Sequence, residues 1–173
     1  MATDTGLLSR IKSLLFTTQN ESPLPMEESY WLYAKPFPRE TKTVESTDSP
    51  AHFGPYCHAI DYLMPDGSKV LAPRTGVVVE VKDSSNRGGP SQEFENDLNY
   101  ITISHGNNEF SQLCHIKHEG ALVRIGQTVM EGQLVAHTGS TGWCYEPHLH
   151  FMVFKLTNDN KYGFRSVKVR FKD

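Results

Sequence analysis

The chain has 173 residues, 38% of them hydrophobic, and a formal charge of −3. It is long enough for one compact domain with a real core, and too weakly charged for nucleic acid or an anionic membrane to be its main partner. No apolar run approaches ~20 residues, which excludes a membrane-spanning helix, and three cysteines, Cys57, Cys114 and Cys144, allow at most one disulfide.

In chain order, Thr5 to Thr17 reads as a short amphipathic helix, with Leu7, Leu8, Ile11, Leu14 and Leu15 on one face and Thr5 as N-cap. Arg10 and Lys12 interrupt that apolar stretch, so it does not read as a signal peptide. A polar linker, Gln19 to Pro25, follows. The expected division is an N-terminal helix and linker over 1–29 and one domain over 30–173. Tyr30 to Tyr33 reads as an aromatic strand, and Lys35-Pro36-Phe37-Pro38 breaks regular structure. From Thr41 onward, turn signals alternate with short β runs. Lys69 to Ala72 ends at Pro73, and Gly76 to Val81 is the strongest strand. Ser84 to Asn96, with Gly88-Gly89-Pro90, reads as a long surface loop. Tyr100 to His105 alternates cleanly, Gly106-Asn107-Asn108 makes a hairpin turn, and Glu109 to Ile116 returns. Gln133 to His137 and Ser166 to Phe171 are further strands. The expectation is a mainly β fold of many short antiparallel strands, with function on loops and strand ends.

Chemistry concentrates in three clusters. His52-Phe53-Gly54-Pro55-Tyr56-Cys57-His58-Ala59-Ile60-Asp61 is the first, Cys114-His115-Ile116-Lys117-His118 the second, and Pro147-His148-Leu149-His150-Phe151 the third. The third reads as a strand, in which side chains two apart share a face, so His148 and His150 project together while Leu149 enters the core. Alone, such a pair is compatible with two partly exposed histidines on a polar face. Together, the clusters offer enough His and Asp donors for a catalytic zinc, which needs three protein ligands and an open position.

The ordered set resembles the lysostaphin-type (LytM-like) zinc endopeptidases, which cut peptide bonds in bacterial peptidoglycan. The resemblance runs over about residues 50–155. It is carried by Asp61 to Gly67, Val70-Leu71-Ala72, Gly76-Val77-Val78, Tyr100 to Gly106, Leu113 to Ile116, Val123 to Val129, Glu131-Gly132-Gln133, Gly139-Ser140-Thr141-Gly142 and Pro147-His148-Leu149-His150-Phe151. It implies an antiparallel β-sheet or sandwich domain of the LytM-like, duplicated-hybrid-motif type. Zn2+ is the implied cofactor, and a peptidoglycan peptide or other short peptide the implied substrate. Asp61 and His150 match metal ligands. His148 and His115 match the two non-ligand histidines that activate water and stabilise the oxyanion. His58, His105, His118 and His137 match no role, and Asn99 and Tyr100 are candidates to line the groove.

The chain departs from that pattern in three places. The usual spacing puts the first ligand four residues before Asp61, at Cys57, whose thiolate is also a zinc donor. His58 has the wrong strand parity. His52, in a His-x-Gly arrangement, lies nine residues before Asp61 and needs a bulge or loop to bring it back. His52 is the favoured third ligand, with Cys57 its rival. Cys144-Tyr145-Glu146 stands where Ser-Thr-Gly is usual, and Met152 replaces a frequent Glu. The alternative function is a catalytically degenerate domain of the same type, acting as a zinc-binding regulator or as a cell-wall or protein-binding module. A peptidoglycan substrate requires a periplasmic, secreted or cell-wall location and another substrate a cytoplasmic one; the sequence leaves both open, as it does the oligomeric state.

Overall fold

The computed structural model describes residues 27–158 and 160–173. The helix expected over Thr5 to Thr17 and the linker after it lie outside those residues. Among the described residues the regular structure is almost all strand, joined by loops and two short 3₁₀ turns. In chain order the strands are β1 (Glu28–Tyr33), β2 (Val44–Ser46), β3 (Ile60–Leu63), β4 (Lys69–Leu71), β5 (Gly76–Lys82), β6 (Gly88–Gly89) and β7 (Tyr100–Ser104). They continue with β8 (Phe110–Cys114), β9 (Ile116–Ala121), β10 (Thr128–Val129), β11 (Leu134–Thr138), β12 (Gly142–Trp143), β13 (His148–Leu156) and β14 (Phe164–Phe171). No described helix is long and apolar enough to cross a membrane.

The main sheet runs β1-β14-β13-β8-β7-β5-β10, with β3 also on β13 and β2 on β3. β13, nine residues long, is its axis. Its first half pairs with β3, its second half with β14, and its other edge with β8. Leu149, Phe151 and Val153 alternate into the core with Ile101, Ile103 and Leu113, as expected for a strand of period two. Burying this face drives sheet formation, at about 25 cal/mol per Å² of apolar surface removed from water. On the opposite face Met152 and Phe154 form a second small core with Ala59 and Phe164. A smaller sheet, β4-β11-β9, packs beside the first.

Two local features differ from the sequence reading. The return strand expected over Glu109 to Ile116 breaks at His115, whose φ of 61° is left-handed. The chain turns there out of the main sheet and into the small one. The loop expected over Ser84 to Asn96 contains a 3₁₀ turn, Gln92–Asp97, and the two-residue strand β6, which pairs with β12. Both are too short to leave a periodic signal and are held by tertiary contacts. Glu109 reads as a polar residue beside a turn, yet it is fully buried. It accepts hydrogen bonds from the backbone N–H of Tyr30 and of Trp31 (3.2 Å) and from Tyr33 Oη (3.1 Å), and so ties β1 to the domain.

Candidate metal centre and active-site groove

Register alone brings the first two donors together. Asp61 on β3 stands directly opposite His150 on β13, and Ser46 on β2 stands opposite Asp61. His150 Nδ1 lies 2.8 Å from Asp61 Oδ1. His52 arrives from the loop after β2. The 3₁₀ turn Gly54–Tyr56 that follows, entered through Gly54 at φ 56°, resets the phase of the chain before β3 begins. Strand parity counted back from Asp61 therefore does not apply. His52 Nε2 lies 3.2 Å from Asp61 Oδ1 and 3.4 Å from His150 Nδ1. Cys57 and His58 are not in this group. Cys57 Sγ is 4.0 Å from Ser166 Oγ, and the His58 N–H donates to that same hydroxyl at 3.0 Å.

The protonation pattern bears on what this trio can hold. His52 Nδ1–H donates to the Thr47 carbonyl at 3.1 Å, which leaves a lone pair on Nε2. Two imidazole nitrogens and one carboxylate oxygen then face one another. In the metal-free chain a proton lies between His150 Nδ1 and Asp61 Oδ1, and a cation can take its place. Burial pushes the Asp61 carboxyl up, but hydrogen bonds from His150 and His52 and the charges of His150 and His148 outweigh it and hold the group well below the usual carboxylate range. Burial likewise lowers His52, and its contact with Asp61 reverses that into a net rise. Ligands about 2.1 Å from a tetrahedral zinc lie roughly 3.4 Å apart. The donor types and the separations fit that ion.

Beside the trio stand two more histidines. His115 and His148 have ring centroids 4.3 Å apart. His148 Nε2 is 3.7 Å from Asp61 Oδ1, as the shared strand face of His148 and His150 requires. Each spends its Nδ1–H on a carbonyl: His115 on Thr141 at 2.7 Å and His148 on Glu146 at 2.8 Å. Both Nε2 atoms therefore carry lone pairs. Burial pushes His115 down to about 3, helped by the neighbouring His148, and burial also lowers His148. Both are neutral bases near pH 7.

Four of these five side chains, Asp61, His115, His148 and His150, lie within the stretch that matches a known family, and His52 lies just before it. Residues 56–162 match the sequence profile of Peptidase family M23. The chain belongs to Peptidase family M23. It is 31% identical over 130 residues to an uncharacterized metalloprotease of Buchnera aphidicola subsp. Baizongia pistaciae, covering 75% of this chain and 30% of that protein. It is 34% identical over 91 residues to the peptidoglycan DD-endopeptidase ShyA of Vibrio cholerae, covering 53% of this chain and 18% of that protein. The chain thus spans less than a third of either relative. Among solved structures, the catalytic domain of the prophage-encoded M23 protein EnpA from Enterococcus faecalis superposes with a TM-score of 0.54 at 25% identity, over 78% of this chain and 92% of that one. M23 peptidases are zinc-dependent, and the trio in this M23 domain has the donor chemistry that zinc requires.

Asp61 and His150, with His115 and His148, line a groove of about 520 Å³. Its walls come from three loops, which present Phe53 and Tyr56, Gln92 and Glu95, and Trp143 and Tyr145. Asn99 and Tyr100 do not line it. Asn99 is buried and acts as a brace: Nδ2 donates to the Ser85 and Ile116 carbonyls at 2.9 and 3.2 Å, and its N–H donates to Thr141 Oγ1 at 3.2 Å. Thr141 Oγ1 donates in turn to Ile116 O at 2.9 Å. This network holds the carbonyl that orients His115. Tyr100 packs against the Met152 core. His105 is a satisfied core residue, bonded to Thr75 O at 3.0 Å and Ser111 Oγ at 2.8 Å. The Thr47, Thr141 and Glu146 carbonyls escaped the sequence reading, because main-chain orientation has no signature in residue type.

Proposed function

We propose that this chain is a zinc metalloendopeptidase that hydrolyses peptide cross-links of bacterial peptidoglycan. The observation that carries the proposal is the convergence of His52, Asp61 and His150 donors beside two neutral histidines whose free Nε2 atoms belong to the same groove. In this reading His52 Nε2, Asp61 Oδ1 and His150 Nδ1 hold the metal. Zinc bound there supplies Lewis-acid polarisation of the scissile carbonyl and lowers the pKa of water toward neutrality.

The chain's own residues do the proton work. His148 Nε2 accepts the proton released as water attacks, and Glu146 O holds the ring in the tautomer that leaves this nitrogen free. His115 stands a ring's width away. Its Nδ1–H is committed to Thr141 O, so it donates to the developing oxyanion only when a proton reaches its Nε2. Two rings this close disfavour double protonation, so the pair carries one proton and passes it to the leaving amine. The aromatic walls of the groove exclude water from the peptide, and Trp143 and Tyr145 offer flat faces to its backbone.

The test is elemental analysis of the purified protein together with digestion of peptidoglycan, on wild type, His52→Ala and Cys57→Ala. Near-stoichiometric zinc and released muropeptides, both lost in His52→Ala and kept in Cys57→Ala, is the expected result. Zinc retained without cleavage would replace the peptidase reading with that of a silent zinc-binding module.

A further inference from the structure

A second cluster of metal donors adjoins the first. His115, Cys144 and His148 each place a ligand atom within 4.8 Å of the other two. Cys144 is 5% exposed, and its Sγ lies 3.5 Å from His148 Nδ1 and 3.0 Å from Glu146 O. None of the three belongs to the His52–Asp61–His150 group. We propose that His115, Cys144 and His148 form a second, thiophilic metal site, which takes one soft divalent cation and in doing so removes both free histidines from catalysis.

The chemistry of the donors sets the choice of ion. One sulfur and two imidazole nitrogens favour Zn2+ or Cd2+ over Mg2+ or Ca2+, which prefer oxygen. Binding exchanges the thiol proton for the metal: the S–H bond breaks, an S–metal bond forms, and the proton leaves to solvent, while the His148 Nδ1 proton, released from the Glu146 carbonyl, moves to Nε2 so that Nδ1 can ligate beside the sulfur. No redox step is involved. Metal-free, the thiol is protonated and donates to Glu146 O, so the site is closed to cations too hard to displace that proton. Because His148 also stands 3.7 Å from Asp61, filling this site places a cation against the groove side of the first one. Metal binding here is independent of the peptidase reading; only its inhibitory consequence rests on that reading.

The test is Cd2+ titration of the full chain, followed by equilibrium dialysis and by the thiolate-to-metal charge-transfer band in the ultraviolet. Wild type is expected to take two equivalents, and the second brings in the band. Cys144→Ser keeps the first equivalent, which also reports that it is folded, and binds the second at least about 100-fold more weakly without the band. His52→Ala loses the first equivalent and keeps the band, which separates failure of this site from failure of the first. Cys57→Ser behaves as wild type, and Mg2+ produces no band. A band that survives in Cys144→Ser, or disappears in Cys57→Ser, would overturn the assignment, as would a wild type that takes only one equivalent.

Discussion

Asp61 and His150 are cross-strand partners, with Oδ1 and Nδ1 2.8 Å apart, and each belongs to a strand whose neighbours are fixed by the core. Leu149 and Phe151 flank His150 and are fully buried, so a one-residue slip of β13 would exchange His150 for a core residue. The donor pair is thus as rigid as the sheet. By contrast, His115 sits at a left-handed corner and is held by a carbonyl. Removing these side chains has separable effects. His150→Ala is expected to lose zinc. His115→Ala is expected to keep zinc and lose about 10²–10⁴-fold in kcat. Zinc analysis paired with a peptidoglycan turnover assay reads both, and full turnover by the His115 variant would remove it from the mechanism.

Much of this was legible in the sequence, for reasons of periodicity. Alternation along Tyr100 to His105 and along Ser166 to Phe171 marks β7 and β14, and the i, i+2 spacing of His148 and His150 puts both on one face because the pleat permits nothing else. What the residues left open was which of His52, Cys57 and His58 reaches Asp61. The answer depends on Gly54 taking a positive φ and on a 3₁₀ turn that erases strand parity. Glu109 was illegible for a similar reason. Its neighbours Gly106, Asn107 and Asn108 mark a turn, while its partners Tyr30, Trp31 and Tyr33 lie nearly eighty residues away.

Glu109 carries its own prediction. Substituting Ala removes the acceptor for two backbone N–H groups and a buried tyrosine hydroxyl, at a cost of roughly 3 kcal/mol. The expected outcome is a lower urea midpoint and faster amide exchange at Tyr30 and Trp31. Zinc content stays unchanged, because Glu109 precedes β8 at the end opposite Cys114, where the strand pairs with His150. Unchanged exchange at Tyr30 would show that β1 is held by β14 alone.

His105 predicts a pH dependence. Burial lowers it from 6.5 to about 4, so the unfolded chain binds its proton more readily than the folded one. Its contribution is present above the unfolded value and is lost as pH falls from about 6.5 toward 4, by up to about 3 kcal/mol. His52 has the opposite sign, because its contact with Asp61 raises it, so the readout is a difference. Stability measured by urea at pH 7 and pH 4.5 is expected to fall less in His105→Gln than in wild type. Equal slopes would assign the acid sensitivity to groups other than His105.

The groove wall can be moved without touching a donor. Gly88 on β6 pairs with Gly142 on β12, and a Cβ at Gly88 would lie 1.8 Å from the Ser140 carbonyl oxygen, which is backbone and cannot swing aside. Gly88→Ala therefore pushes the Ser140–Trp143 segment away from the 84–97 loop. That segment includes the Thr141 carbonyl that orients His115 and the Trp143 ring that walls the groove. Small displacements of positioning groups cost up to about 10²-fold in rate. The expected result is wild-type zinc content with kcat/KM lowered by about tenfold or more, measured on a defined cross-linked peptide. A variant with wild-type kcat/KM would mean that the β6–β12 pairing closes the loop without setting the position of His115.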